Sequence, residues 1–400
     1  MRYTRIGVAL AACGIALSLF TAAAHAGDSK VNCNSPGAHG KIANVLRKLD
    51  PAATNVVHVS GHCRENLVIT GFDRLSLIGE SGAVIEDASG GKAAVIEILD
   101  SLRVVVQGFI IRGGNGGLYC HDFSYCRFIG DTVEQTAAYA GIAVGSSEAR
   151  LMDITVRDST DRGIYIYNSM VTGANASISD VKAGTMASGV GLQLQNSKAY
   201  IGNWTIQNAA GGGVDATVSS VLECTPLTVT NNPGGGIGVK DGSNLQSYQL
   251  TVTDNGGDGV SLSVGATAAI GGVTIGNNKR FGVVLGDGSS ASIFGGSVAS
   301  NGDNGVFVGF GSNLWIDGTN VTANTSAGLL VTDVSSAWIL GGMFTQNGID
   351  VSCGGTPPAF IQVSGNAIVG TTDCPPSAMA PAKIPPFKGV PFKGPSLPAN

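Results

Sequence analysis

The sequence predicts an all-β fold, a right-handed parallel β-helix of about 12 coils with a short N-terminal capping helix, and three observations predict it. Asn232, Asn255, Asn278, Asn301, Asn324 and Asn347 stand 23 residues apart without slippage. Aliphatic residues keep the same register in three columns: Val229, Val252, Ile275, Val298; then Ile237, Val260, Val283, Val306, Leu329; then Ile270, Ile293, Ile316, Ile339. Short alternation such as Gly259-Val-Ser-Leu-Ser263 marks half-buried strands, and no leucine-rich consensus with its helix occurs.

Three apolar columns per period mean three strands per coil. Equivalent residues on successive coils then lie roughly 4.8 Å apart, so like stacks on like. The Asn column fits a turn in which Asn takes left-handed dihedrals and bonds the amides above and below. The Gly column at Gly272, Gly295, Gly318 and Gly341 marks another corner. Val, Ile and Leu fill a narrow core whose pleated wall suits β-branched side chains.

Residues 1–26 read as a signal peptide. Arg2 and Arg5 precede an apolar run from Ile6 to Ala24, and Ala24-His25-Ala26 is a small-x-small ending. The expected location is therefore secreted or periplasmic, with no transmembrane segment after cleavage. Removing Arg2 and Arg5 from the 23 basic residues leaves 21 against 28 acidic, a net charge near −7 that argues against nucleic acid as a partner. With only 13% charged residues and 60 glycines, the composition suits a turn-rich extracellular framework.

Residues 27–55 are expected to form an N-terminal cap, in which Ile42, Val45, Leu46 and Leu49 make one helical apolar stripe over the open end of the solenoid. The β-helix is expected over 56–348, a C-terminal cap over 349–375, and a proline-rich, disordered tail over 376–400, where Pro386-Phe-Lys-Gly389 nearly repeats as Pro391-Phe-Lys-Gly394. An exported chain permits disulfides, and the expected pairs are Cys33 with Cys63, Cys120 with Cys126 and Cys353 with Cys374, leaving Cys224 over. No Cys-x-x-Cys pair with His at zinc spacing is present, so a metal site made from these residues is not expected.

The stretch Val56 to Gly79 carries a strand, the segment Gly61-His-Cys-Arg-Glu-Asn66 and a strand ending Ile78-Gly79. Here the chain resembles the opening coils of bacterial secreted right-handed β-helix proteins, the pectate-lyase-like superfamily. That resemblance covers roughly Val56 to Asn347 and implies lyases, hydrolases, epimerases, tailspikes or adhesins, and so a polysaccharide or cell-surface glycan as partner. The chain carries neither the motif set of polygalacturonases nor the Asp-Pro-His-Asp run of alginate epimerases, so no catalytic residue passes across.

A Gly-aliphatic column counts the coils at Gly117, Gly141, Gly163, Gly189, Gly213, Gly236, Gly259, Gly282, Gly305 and Gly328. Two and four residues past each Gly the side chains should point outward. The first half of that wall then presents Tyr119, His121, Tyr165, Tyr167, Gln193, Asp215 and Lys240, beside the charged run Arg157 to Arg162. Tyr119, Tyr165 and Tyr167 suit sugar faces, with Gln193 for hydroxyls. A uronate lyase or epimerase needs carboxylate neutralisation, by Arg157, Arg162 or a Ca²⁺ held on Asp158, Asp161 and Asp215, and a base, from Lys240, His121 or an Arg. A hydrolase needs two carboxylates, drawn from Glu134, Asp158, Asp161 and Asp215.

Blander roles compete. Arg157 to Arg162 reads first as a surface turn with ion pairs and His121 first as an incidental loop residue, while the tyrosines read either as sugar contacts or as a cross-strand ladder. Asp254, Asp258, Asp287 and Asp303 offer Ca²⁺ ligands at turns, without the nonapeptide repeat that such sites use. In the second half Val284, Phe307 and Leu330 make an outward apolar strip suited to a protein partner, and Trp315 and Trp338 should stack on another wall. The expected function is thus an exported β-helix protein that binds polysaccharide, with or without processing it as a lyase or epimerase does, and a non-catalytic envelope or surface scaffold or adhesion protein is the alternative.

Overall fold

The computed structural model describes residues 27–381 apart from 36, 356–358, 365 and 377. The chain winds into a parallel β-solenoid of about 14 turns. One wall is a 13-stranded sheet running from Leu67–Thr70 to Ile349–Cys353, and a 25-stranded sheet makes the other two walls. Register follows the sequence period: Val260 pairs with Val283, Val283 with Val306 and Val306 with Leu329, all fully buried. Each column thereby becomes a stack of apolar side chains along the solenoid axis, which is the core.

Several strands run through a corner. Glu148–Arg157, Met170–Ser179 and Lys198–Gln207 bend at Asp153, Asn175 and Asn203, whose φ values of 55°, 57° and 56° are left-handed. In later coils Gly272, Gly295 and Gly318 occupy this corner with φ of 57°, 64° and 63°, a conformation that glycine adopts without a Cβ penalty.

Two polar ladders line the interior corners. Asn232, Asn255, Asn278, Asn301 and Asn324 are buried, and each donates from both its backbone N–H and its side-chain amide to the Oδ1 of the next asparagine, at 2.9–3.2 Å. The expected amide stack therefore exists, but its left-handed dihedral does not fall on these asparagines. It falls one residue earlier, at Asn231, Asp254, Asn277, Ser300, Ala323 and Gln346. Turning that residue outward frees the ladder asparagine to point into the core. A serine ladder, unforeseen from sequence, does the same elsewhere: the N–H groups of Ser101, Ser124, Ser147, Ser169, Ser197 and Ser220 each donate to the hydroxyl of the serine one coil on.

At the N-terminal end the assignment of residues 27–55 to a cap alone needs correction. Gly27–Asn32 is a strand paired in parallel with Asn55–Ser60, so it already forms a rung. The helix is shorter than the stripe suggested, Ile42–Leu46, with Ile42 and Leu46 buried. Its first N–H groups donate to the Glu65 carboxylate at 2.8 and 3.1 Å. That gives the Gly61 to Asn66 segment a physical role: Cys63 is bridged to Cys33, Glu65 anchors the helix, and Asn66 donates to Asp87 and to the Ala94 carbonyl.

At the other end parallel stacking continues past 348. Ile349–Cys353, Phe360–Val363 and Ala367–Val369 add to their walls, and Met379–Pro381 pairs with Ile361–Val363. The segment assigned to a C-terminal cap is thus further coil. The disulfides Cys33–Cys63, Cys120–Cys126 and Cys353–Cys374 are formed and Cys224 is free and buried. The signal peptide expected over 1–26 lies outside the described residues, as does the tail expected over 376–400 from residue 382 on; the earlier part of that tail is not disordered, because Met379–Pro381 is held as a strand on Ile361–Val363. Among those residues no helix is long and apolar enough to cross a membrane.

Candidate functional site

The outward column of the 13-stranded wall reads Glu97, Tyr119, Ala143, Tyr165, Gln193, Asp215, Gly238, Ser261, Val284, Phe307, Leu330. This corrects the count at one coil. Gly191, not Gly189, follows Gly163 in the column, because a longer connection around Ala183–Ser188 separates the two strands. Gln193 therefore moves one column over, to stand directly between Tyr165 and Asp215.

An aromatic cluster occupies the first half. Tyr139, overlooked in the sequence because it sits in a turn ahead of its strand, joins Tyr119 and Tyr165 through edge contacts at 5.4 and 5.8 Å between ring centroids. Tyr165 stacks on Tyr167 at 5.1 Å. The Tyr167 ring lies over Gly145, where even a Cβ would overlap it. Arg162 packs its guanidinium 4.5 Å from the Tyr165 centroid, donates to Gln193 Oε1 and reaches the Tyr139 carbonyl at 3.3 Å. Burial, followed by neighbouring tyrosine charge, pushes the Tyr119 and Tyr139 hydroxyls well above the usual tyrosine range, and burial raises Tyr165 as well. These phenols keep their protons at neutral pH, so they serve as hydrogen-bond donors rather than bases.

The strip then opens into a cleft of about 300 Å³. Its floor is glycine-rich, including Gly212, Gly235 and Gly238, so the backbone itself is accessible, and Asp215, Lys240, Asp258, Ser261 and Arg280 stand around it. Lys240 Nζ lies 3.3 Å from Asp215 Oδ1, while Gln193 approaches the other Asp215 oxygen at 3.5 Å. Arg280 Nε lies 3.6 Å from Asp258 Oδ1. Burial lifts the Asp258 carboxyl above its ordinary value against the opposing pull of Arg280. Asp258 was expected only as a turn ligand and Arg280 not at all. Both sit just before their column residue, outside the two-residue alternation that identified the wall.

Other expected groups are elsewhere. Asp161 is fully buried and its carboxylate accepts the N–H groups of Tyr139, Met186 and Ala187 at 3.0–3.1 Å, holding the longer connection in place. Asp158 turns to a different corner and pairs with Lys182 at 3.4 Å. Arg157 belongs to a ladder of alternating charge on another wall, Arg64, Glu86, Arg112, Glu134, Arg157, in which both Arg112 and Arg157 bond the buried Glu134. His121 is held between Glu97 at 2.9 Å and Asp122 at 3.0 Å, next to the tyrosines but away from the cleft.

The acids proposed for Ca²⁺ thus do not converge: Asp158, Asp161 and Asp215 have separate partners. Among the described residues one group lies close enough to share an ion, Cys33, Cys63 and Glu65. Its sulfurs are joined in the disulfide and its carboxylate holds the helix, so it does not fit a metal.

Beyond the cleft the same wall turns apolar as expected. Phe281 and Phe307 rings lie 5.7 Å apart, Phe310 follows at 6.5 Å from Phe307, and Val284 and Leu330 flank them in the column.

A chain of stacked parallel rungs with an outward groove defines a class, and the sequence match agrees. The chain matches the family described as the right handed beta helix region over residues 57–248 and 248–375, and it belongs to that family. No curated protein matches it. Similar solved structures include the Azotobacter vinelandii mannuronan C-5 epimerase AlgE4 A-module, 15% identical with TM-score 0.48 over 83% of this chain and 91% of that one. The periplasmic alginate epimerase AlgG is 12% identical with TM-score 0.45 over 86% and 84%. The Dettilon tailspike protein is 12% identical with TM-score 0.47 over 86% and 68%. Likeness of this degree carries no residue role across.

Proposed function

We propose that this chain is an exported β-helix protein that binds polysaccharide along the strip from Tyr119 to Arg280 and processes acidic sugars in its cleft, as a lyase or epimerase does. The carrying observation is Arg162 packed on Tyr165 and bonded to Gln193, one coil from the Asp215–Lys240 pair. Flat ring faces, an amide and a cation then share one line along the axis, which suits a repeating sugar chain bearing carboxylates. In the cleft, Arg280 neutralises a uronate carboxylate. Removal of the adjacent C5 proton falls to Lys240 as the neutral amine left when its own proton passes to Asp215 at 3.3 Å, and solvent returns a proton to C5 or to the leaving oxygen. A hydrolase is less well served, because both cleft carboxylates are engaged by cations. The three disulfides accord with an oxidising location, periplasmic or secreted.

The test is incubation of the purified protein with polymannuronate, polyguluronate and polygalacturonate. Absorbance from unsaturated ends reports a lyase, C5 proton exchange from deuterated water reports an epimerase, and affinity electrophoresis reports binding. Retardation by at least one polymer, lost in R162A, is expected. Absence of retardation by all three removes the reading. A second reading, a non-catalytic surface scaffold, rests on the apolar strip Phe281, Val284, Phe307, Leu330, which a protein partner would cover. Retardation without either chemical signal favours it.

A further inference from the structure

A second groove lies on a different wall, built by Asn244–Tyr248, Thr267–Gly276, Ser290–Ala299, Asn313–Asp317 and Ser336–Ile339. Register stacks Gln246, Ala269, Ser292, Trp315 and Trp338 in one outward column. The small side chains of Ala269 and Ser292 leave a depression of about 340 Å³, and the two indoles stand at one end of it. One border is a row of amides and hydroxyls in which the Asn244 amide donates to Thr267 at 2.7 Å and the Ser336 hydroxyl to Asn313 at 2.6 Å. Across the column stand Tyr248 and Phe294, 50% and 40% exposed on either side of Gly271.

None of the residues lining this groove carries a charge. The charges nearest in register are acids: Asp317, stacked on Phe294, and Glu223, one coil before Gln246.

We propose that this groove binds a neutral polysaccharide chain laid along the solenoid axis, its sugar faces on Trp315 and Trp338 and its hydroxyls on the amide and hydroxyl row. Indole faces offer flat apolar area, while the polar row offers both donors and acceptors at coil spacing. The groove spans four coil steps, roughly 19 Å, which calls for several linked sugars rather than one. Its acidic borders and lack of cations oppose a uronate chain, which separates this site in chemistry as well as in place from the Arg162 strip. The proposal does not depend on that strip.

The test uses the full chain and its intrinsic tryptophan emission, since Trp204 is buried and constant while Trp315 and Trp338 report the groove. Cellohexaose, xylohexaose, mannohexaose and maltohexaose are titrated, with hexamannuronate as the charged control. A saturable emission change with at least one neutral hexasaccharide is expected, together with affinity about tenfold or more weaker in W315A/W338A by calorimetry and unchanged in R162A. W315F/W338F keeps flat rings and should retain part of the affinity, which separates lost stacking from lost folding. No response to any neutral hexasaccharide overturns the proposal. So does binding that survives W315A/W338A, or groove emission that responds only to removal of residues 382–400, which would make the occupant the chain's own tail.

Discussion

Asn278→Ala tests the interior ladder most sharply. Asn278 is 1% exposed, and its Oδ1 accepts both the backbone N–H and the side-chain amide of Asn255 at 3.2 and 2.9 Å. Truncation strands those two buried donors. It also removes donors to Asn301 Oδ1 and to the Val252 carbonyl. At about 1–3 kcal/mol for each buried donor left without a partner, the loss is about 4 kcal/mol, beyond what ordinary surface substitutions cost. Asn347→Ala breaks the same pattern at the half-buried end of the ladder, where water reaches the freed groups, so roughly 1–2 kcal/mol is expected there. Equilibrium urea unfolding followed by far-ultraviolet circular dichroism measures both. A loss below about 1 kcal/mol for Asn278→Ala, or equal losses at the two positions, would refute a dry, continuous amide ladder.

Three further outcomes follow from single sites. Burial raises the Glu134 carboxyl, but bonds and charges from Arg112 and Arg157 outweigh it and hold the group below its ordinary 4.5. The folded state then binds the proton less readily than the unfolded chain, so the stabilisation is complete above about pH 4.5 and fades as pH falls through the lowered value. Urea titrations should show wild type losing its advantage over E134Q below that pH. Cys224 is buried with its thiol pushed up to about 12, so it should resist thiol reagents in native buffer and react once in denaturant, counted by mass on protein lacking residues 1–26. Gly145→Ala should displace the Tyr167 ring and weaken polyuronate retardation several-fold while melting temperature stays within a few degrees, because the clash is with an outward side chain.

The sequence was most legible where the period was strict. From Ile237 to Val331 a 23-residue repeat gave inward and outward faces correctly, since a parallel ladder without insertions must stack equals on equals. It misled where the chain inserts residues. The connection before Val190 shifted the glycine count by two, which hid that Gln193 bridges Tyr165 and Asp215. Turn residues were the second blind spot. Tyr139, Asp258 and Arg280 lie outside the alternating strand positions, so no column reported them, and Asp161 read as a charged surface residue although its carboxylate turns inward onto backbone amides. The serine ladder escaped notice because its spacing varies between 22 and 28 residues, and hydroxyls at loop positions look ordinary.

Hydroxyl-radical footprinting of the protein saturated with the polyuronate that retards it tests the central claim most directly. Tyr139, Tyr165 and Tyr167 should lose reactivity several-fold on binding, while Tyr248 on the other wall keeps its own. Unchanged labelling of the three tyrosines at saturation would contradict the account, because a sugar chain following the strip from Tyr119 to Arg280 has to cover them.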